Sequence, residues 1–180
     1  AATMSSEMAD TDKVQFFYQD ALANGLKFLP PDINEGGYRF QPTDTGTIRY
    51  GLGAIKGTGE SALAAIVRVR AEGGPFRDLF EFCRRTDKRL VNRRVIEALV
   101  RAGCFDAIDD HRARLLASVS VAIESAEHAE RHSLQGALFD AGAESAAATH
   151  YVEAPRWPER ERLRQEKQAL GFFLSGHPYN

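Results

Sequence analysis

Ile55-Lys56-Gly57-Thr58-Gly59-Glu60-Ser61-Ala62 sets a cation and a Gly-x-Gly turn between an apolar residue and an amphipathic stretch. Glycine tolerates positive φ and lets another backbone come close. A turn of this kind aims successive backbone N–H groups outward, beside the positive end of the following helix, and that suits a phosphate oxygen. The chemistry is non-covalent. It holds a phosphate and carries no base information. Lys56 adds a charge to the contacts expected from Gly57, Thr58 and Gly59, while Glu60 competes for the same field.

A plain helix-initiating turn has the same local pattern, so the neighbours decide. Gly51 and Gly53 lie just upstream in an apolar setting. A second helix–turn–helix pattern follows over 76–85, 87–92 and 93–102, with no glycine in its turn. Residues 84–101 carry seven basic side chains (Arg84, Arg85, Lys88, Arg89, Arg93, Arg94, Arg101) against Asp87 and Glu97, a local balance of +5 in a chain of net charge −2. Such a stripe counts for more in phosphate binding than the whole-chain sum. We therefore take Lys56, Gly57, Thr58, Gly59, Arg84, Arg85, Lys88, Arg89, Arg93 and Arg94 as the candidate phosphate contacts.

A second constellation is Gln135-Gly136-Ala137-Leu138-Phe139. An aliphatic and an aromatic residue are poor choices for an exposed segment unless they dock. Gln135, Leu138 and Phe139 are candidate anchors in a partner's hydrophobic pocket; the plainer alternative is that they fold back onto the chain's own core. His128 and His132 are four apart, a spacing that suits a shared metal, but no third ligand is near. We read them as a solvent-facing pair, and Trp157 beside its arginines as a packing residue. There is no dinucleotide fingerprint, no P-loop and no Ser–His–Asp or Cys–His spacing.

Helices must position these groups. Asp10-Thr11-Asp12 precedes a helix expected over 13–24 and stopped by Gly25. Leu26 to Leu29 is a short apolar run ended by prolines. Residues 38–41 and 47–52 read as two short strands around Asp44-Thr45-Gly46, a small hairpin. Apolar stripes mark four more helices: Leu63, Ile66 and Val67; Phe76, Leu79, Phe80 and Cys83; Val95, Ile96, Leu99 and Val100; then Leu115, Leu116, Val119, Ile123 and Ala126. Residues 133–156 lose this periodicity and read as an exposed linker. A final helix is expected after Trp157, with Pro158 at its first position, ending near Gly171 or Gly176.

The composition is that of an ordinary globular chain, with 43% hydrophobic and 27% charged residues. No apolar run approaches the roughly 20 residues that cross a bilayer, and no signal peptide is visible. Cys83 and Cys104 are too few for a disulfide framework or a four-cysteine zinc site, so a reducing cytoplasm is expected. Residues 1–50 hold 4 basic and 7 acidic side chains and read as the tail of a larger mixed domain that extends upstream of Ala1.

Four stretches taken in order resemble one family. They are Leu29-Pro30-Pro31-Asp32-Ile33-Asn34, Tyr50-Gly51-Leu52-Gly53-Ala54-Ile55-Lys56-Gly57-Thr58-Gly59, Asn92-Arg93-Arg94-Val95-Ile96-Glu97, and Leu170-Gly171-Phe172-Phe173-Leu174-Ser175-Gly176-His177-Pro178. The chain is similar to the alpha subunits of bacterial DNA polymerase III, the C-family replicative polymerases. The resemblance implies a mainly α fold: a tandem helix-hairpin-helix module, a small β-hairpin-containing N-terminal segment and a C-terminal helix. It implies that 1–50 end the fingers domain, that 51–110 form the duplex-binding module, that 111–132 form a long helix, that 133–156 are a linker carrying the sliding-clamp (beta subunit) motif, and that 157–180 lead to an OB domain. The implied partners are duplex DNA, the clamp and the other holoenzyme subunits, with no membrane. The family's Mg²⁺ ligands lie in the palm, outside this chain, so no cofactor and no catalytic residue is assigned here. The rival readings are an error-prone C-family relative and a DNA-repair enzyme carrying the same motif. A glycosylase of the latter kind needs a catalytic Lys or Asp soon after the hairpin, and none is in place.

Overall fold

Short polar side chains set where several of the helices begin. In the computed structural model, which describes residues 1–139 and 149–176 (the side chains of 137–139 excepted), Asp10 accepts hydrogen bonds from the amides of Asp12 and Lys13 and starts α2 (Thr11–Ala23). A short α1 (Ala2–Ser6), not among the expected elements, precedes it. Asp78 accepts from the Glu81 amide to start α4 (Leu79–Arg85), and Asn92 accepts from the Val95 amide to start α5 (Arg93–Arg101). Each such cap satisfies an amide that has no partner within the helix. The helix after the glycine turn, α3 (Glu60–Gly73), has no side-chain cap.

The sheet has three short strands, β1 (Lys27–Leu29), β2 (Gln41–Asp44) and β3 (Thr47–Arg49), in the order β1-β3-β2. The hairpin of β2 and β3 is antiparallel, and β1 adds to β3 in parallel. The strands differ in extent from the sequence expectation. Residues 37 and 38 are outside β2 because their carbonyls accept from the amides of Leu52 and Gly53. The apolar run at 27–29 becomes a strand because β3 offers it an edge.

The first arm of the glycine hairpin is also shorter than a helix. It is a single 3₁₀ turn, Leu52–Ala54, between β3 and the bend. Glycines at 51 and 53 leave too little helix propensity for more.

The core lies where α4 and α5 pack on α6 (Arg112–Phe139). Phe76, Phe82 and Phe105 stack edge to face, with centroids 4.9 and 5.2 Å apart, near the favoured geometry of aromatic pairs. Leu115, Val119, Ala122 and Ala126 give α6 its buried stripe. Beyond them the helix continues to Phe139, through residues expected to be linker. Leu134 is 66% exposed there. The stretch is rich in good helix formers, and losing the apolar period meant losing packing, not helix.

The last helix, α7 (Glu159–Leu170), packs on α5 and has Pro158 at its N-cap, one position earlier than expected. It ends at Gly171, whose φ of +90° only glycine adopts without strain. Phe172 then turns inward, 5.3 Å from the Tyr18 ring and 6.3 Å from that of Tyr50. Fully buried Glu166 ties this strap down. It accepts from the amides of Leu174 and Ser175, both at 2.8 Å, and pairs with Arg112 at 3.3 Å.

Arg112 also grips Asp106 at 2.6 Å and donates to the Arg101 carbonyl. Burial acts to lower its pKa, but the Asp106 and Glu166 carboxylates outweigh that and hold it above its ordinary value.

Both cysteines are buried and unbridged. Burial pushes the Cys83 thiol up to about 12, so it stays protonated and unreactive. Among the described residues, no helix is long and apolar enough to cross a membrane.

Candidate nucleic-acid interface

The bend at 56–60 faces solvent: Lys56, Gly57, Gly59 and Glu60 are exposed and Thr58 half-buried. Gly57 has φ +87° and Gly59 extended backbone at φ −90°, ψ 157°. The Thr58 hydroxyl lies 2.7 Å from the Ile55 carbonyl and 3.0 Å from that of Leu52, and its amide reaches the Ile55 carbonyl at 3.4 Å. Thr58 therefore pins the bend from inside and does not face a ligand.

The Lys56 amide is also occupied, donating to the Ala169 carbonyl at 2.7 Å. The donors left free are instead the amides of Gly57, Gly59, Glu60 and Ser61, in exposed residues, which find no acceptor among the described residues. They gather at the positive end of α3, a ready cradle for an anion.

The side chains complete the cradle unevenly. A Cβ on Gly57 would sit 3.6 Å from Arg94 Nε and 4.0 Å from the Ala98 Cβ. The bend therefore packs on the first turns of α5, and the starts of α3 and α5 converge at one edge. Arg94 and Lys56 are exposed there, with no ion pair among the described residues.

The rest of the expected stripe divides. Arg84, Lys88 and Arg89 line a separate groove between the α4–α5 connection and α6. Arg84 is exposed and unpaired among the described residues. Lys88 pairs with Glu130 at 3.1 Å, Arg89 with Asp87 at 3.1 Å, and Arg93 with Glu97 at 2.8 Å. The Arg89 guanidinium holds the Asp87 carboxyl below its ordinary value. Each pair has one well-exposed partner and one half-buried, and solvent and salt screen it.

Arg85 differs from its neighbours in the stripe. It points inward, donating to the carbonyls of Pro75, Val69 and Gly74, ion-pairing with Glu81 at 3.0 Å and lying 4.5 Å over the Phe76 ring. It closes the C-terminal end of α3, and most of its donors are taken up there. Burial pushes the Glu81 carboxyl up, but hydrogen bonds from Arg77 and Arg85 outweigh it and leave the group below its ordinary value.

Of the clamp candidates, Gln135 is exposed near the end of α6, while the side chains of Leu138 and Phe139 lie outside the described residues. His128 and His132 are exposed with rings 5.2 Å apart. Among the described residues, no group of three or more His, Cys, Asp or Glu is placed to hold a metal. Sequence reasoning missed the free amides of Glu60 and Ser61. The missing Ser, Thr, Asp or Asn before Glu60 was the available signal.

Residues 25–115 match the family model described as a helix-hairpin-helix motif. Over 179 residues the chain is 49% identical to "DNA polymerase III subunit alpha" of Neisseria meningitidis serogroup B. It is 45% identical over 184 residues to the protein of the same description from Vibrio cholerae serotype O1, and 43% over 184 residues to that from Escherichia coli strain K12. These alignments cover 99%, 99% and 100% of the chain, which spans 16% of the length of each relative.

Proposed function

The chain belongs to the helix-hairpin-helix family, and from that premise we propose that its glycine turn holds duplex DNA by the phosphate backbone, without reading bases. The observation that carries this reading is the set of four exposed, unpartnered amides at 57, 59, 60 and 61, beside Lys56 and Arg94. Amides and cations converging at a helix start bind a phosphate oxygen through charge-assisted hydrogen bonds. The α4–α5 groove supplies a second, weaker set of contacts from Arg84, Lys88 and Arg89.

The likeness to DNA polymerase III subunit alpha supports a wider reading. The chain is the part of a cytoplasmic replicative polymerase that keeps the enzyme on its product duplex and on a sliding clamp. Gln135, Leu138 and Phe139 fill a pocket on the clamp, and nucleotidyl transfer with Mg²⁺ belongs to the palm of the parent protein. Two modest attachments suffice, because each raises the effective concentration for the other.

The test is the salt dependence of binding. Each neutralised phosphate contributes about −0.9 to the slope of log K against log salt. We expect the chain to bind duplexes of unrelated sequence equally, with affinity falling steeply as salt rises. Affinity that is flat in salt, or strongly sequence-dependent, rejects the reading.

A separate expectation concerns the clamp. Changing Leu138 and Phe139 together to alanine is expected to abolish clamp binding in a surface-immobilised assay while leaving the DNA isotherm unchanged. Clamp binding that survives the double change would place the anchor elsewhere.

A further inference from the structure

The helix-hairpin-helix match ends at residue 115, yet the turn within it is held from outside that range. The Lys56 amide donates to the carbonyl of Ala169, in the last turn of α7, at 2.7 Å. At the C-cap of that helix, a Cβ on Gly171 would collide with the Thr11 methyl and lie 3.1 and 3.2 Å from Lys56 Cε and Nζ. The Lys56 ammonium therefore lies beside the end of α7, where unsatisfied carbonyls and the negative end of the macrodipole favour a cation. On the other arm, buried Phe172 lies 6.3 Å from the Tyr50 ring, one residue ahead of Gly51.

Apart from its packing on α5, the bend is held only by local hydrogen bonds, chiefly those of the Thr58 hydroxyl and its long 3.4 Å amide bond. We propose that the C-terminal edge of α7, residues 169–172, positions the phosphate-binding turn, and that Gly171 is a positioning residue for DNA binding although it touches no DNA. This rests on the phosphate-binding reading of the turn. The bare side of Gly171 leaves room for the Lys56 stem. The Ala169 carbonyl fixes the start of the bend, so that the amides from 57 onward are aimed before DNA arrives. A turn without that tether has to be ordered during binding, at a cost in affinity.

The experiment uses the full chain and a labelled DNA duplex, with Gly171→Ala, Lys56→Ala and the double variant measured across a salt series. Gly171→Ala is expected to weaken binding about tenfold and to lower the log–log salt slope by nearly one unit, as loss of one phosphate contact does. The double variant is expected to lose less than the sum of the two single changes, because Lys56→Ala removes the stem that a Cβ at 171 would press on. Thr11→Ala in the Gly171→Ala background removes the methyl in the way and is expected to restore part of the affinity.

Additive losses with an unchanged slope would overturn the proposal. Should Gly171→Ala fail to fold, amide hydrogen exchange on the unaltered chain decides. DNA is expected to slow exchange at 167–172 together with 56–61, and protection confined to 56–61 overturns the proposal. A chain that binds no DNA at all instead rejects the phosphate-binding reading itself.

Discussion

Replacing Gly57 with valine is expected to lower affinity for duplex DNA by about ten- to a hundredfold, the size of one or two lost charge-assisted hydrogen bonds. Gly57 sits at φ +87°, where a β-branched L-residue is a genuine outlier. The backbone then relaxes, and the amides of Gly57 and Gly59 turn away from the ligand side. Stability should fall by about 1–3 kcal/mol, the ordinary cost of such strain.

Gly59 separates the two effects. Its φ is already negative at −90°, and a Cβ there meets only Ser61 Oγ, at 4.0 Å. Gly59→Ala should leave the unfolding midpoint unchanged while still obstructing the close approach of a phosphate. Fluorescence anisotropy on both variants checks this. Wild-type affinity in Gly57→Val would mean that phosphates are held elsewhere, in the first place by the α4–α5 groove.

The other large effect is on folding. Arg112→Met is expected to destabilise the chain by about 3–5 kcal/mol, the usual cost of removing one partner from a buried ion pair. Arg112 is 7% and Glu166 1% exposed at the side chain, and the arginine also satisfies Asp106 and the Arg101 carbonyl. Its loss leaves the buried Glu166 carboxylate with Arg162, at 3.9 Å, as its remaining cationic neighbour.

Glu166→Leu should also be costly, since it orphans the amides of Leu174 and Ser175 and so frees the strap. The double variant should lose less than the sum of the two, because no unpaired charge remains at that contact. Urea unfolding with a constant m-value measures all three. A loss below about 1 kcal/mol for Arg112→Met would put the pair in the class of exposed salt bridges and refute the assignment.

Together these expectations divide the molecule by task. The edge where α3 and α5 begin carries the exposed donors, and the Arg112–Glu166 pair holds the strap that reaches back to it. A change at either place is expected to alter DNA affinity, and the second to cost more stability than the first.

Elements whose signals are local were legible in the order of residues. Asp10 and Asn92 stand at helix starts read from the sequence, each two or three residues from the amides it caps, whereas the helix expected from Phe76 starts only after Asp78. The spacing of Leu63 and Ile66, and of Val95, Ile96 and Leu99, fixes which face of α3 and α5 is buried. Gly57 announces its own bend. In each instance the interacting groups lie within one or two turns of each other, so the chain order contains the answer.

Which cations are free depends on how the helices pack. Arg84 and Arg85 are neighbours with the same charge, yet one is exposed and the other is spent on the carbonyls of Val69, Gly74 and Pro75. A guanidinium takes whatever acceptors packing brings within reach, and those are set by how α3 and α4 meet. The strand at 27–29 likewise needed the edge of β3, and the tether of Lys56 needed a carbonyl from the far end of the chain. Such contacts depend on three-dimensional proximity, which residue spacing does not encode.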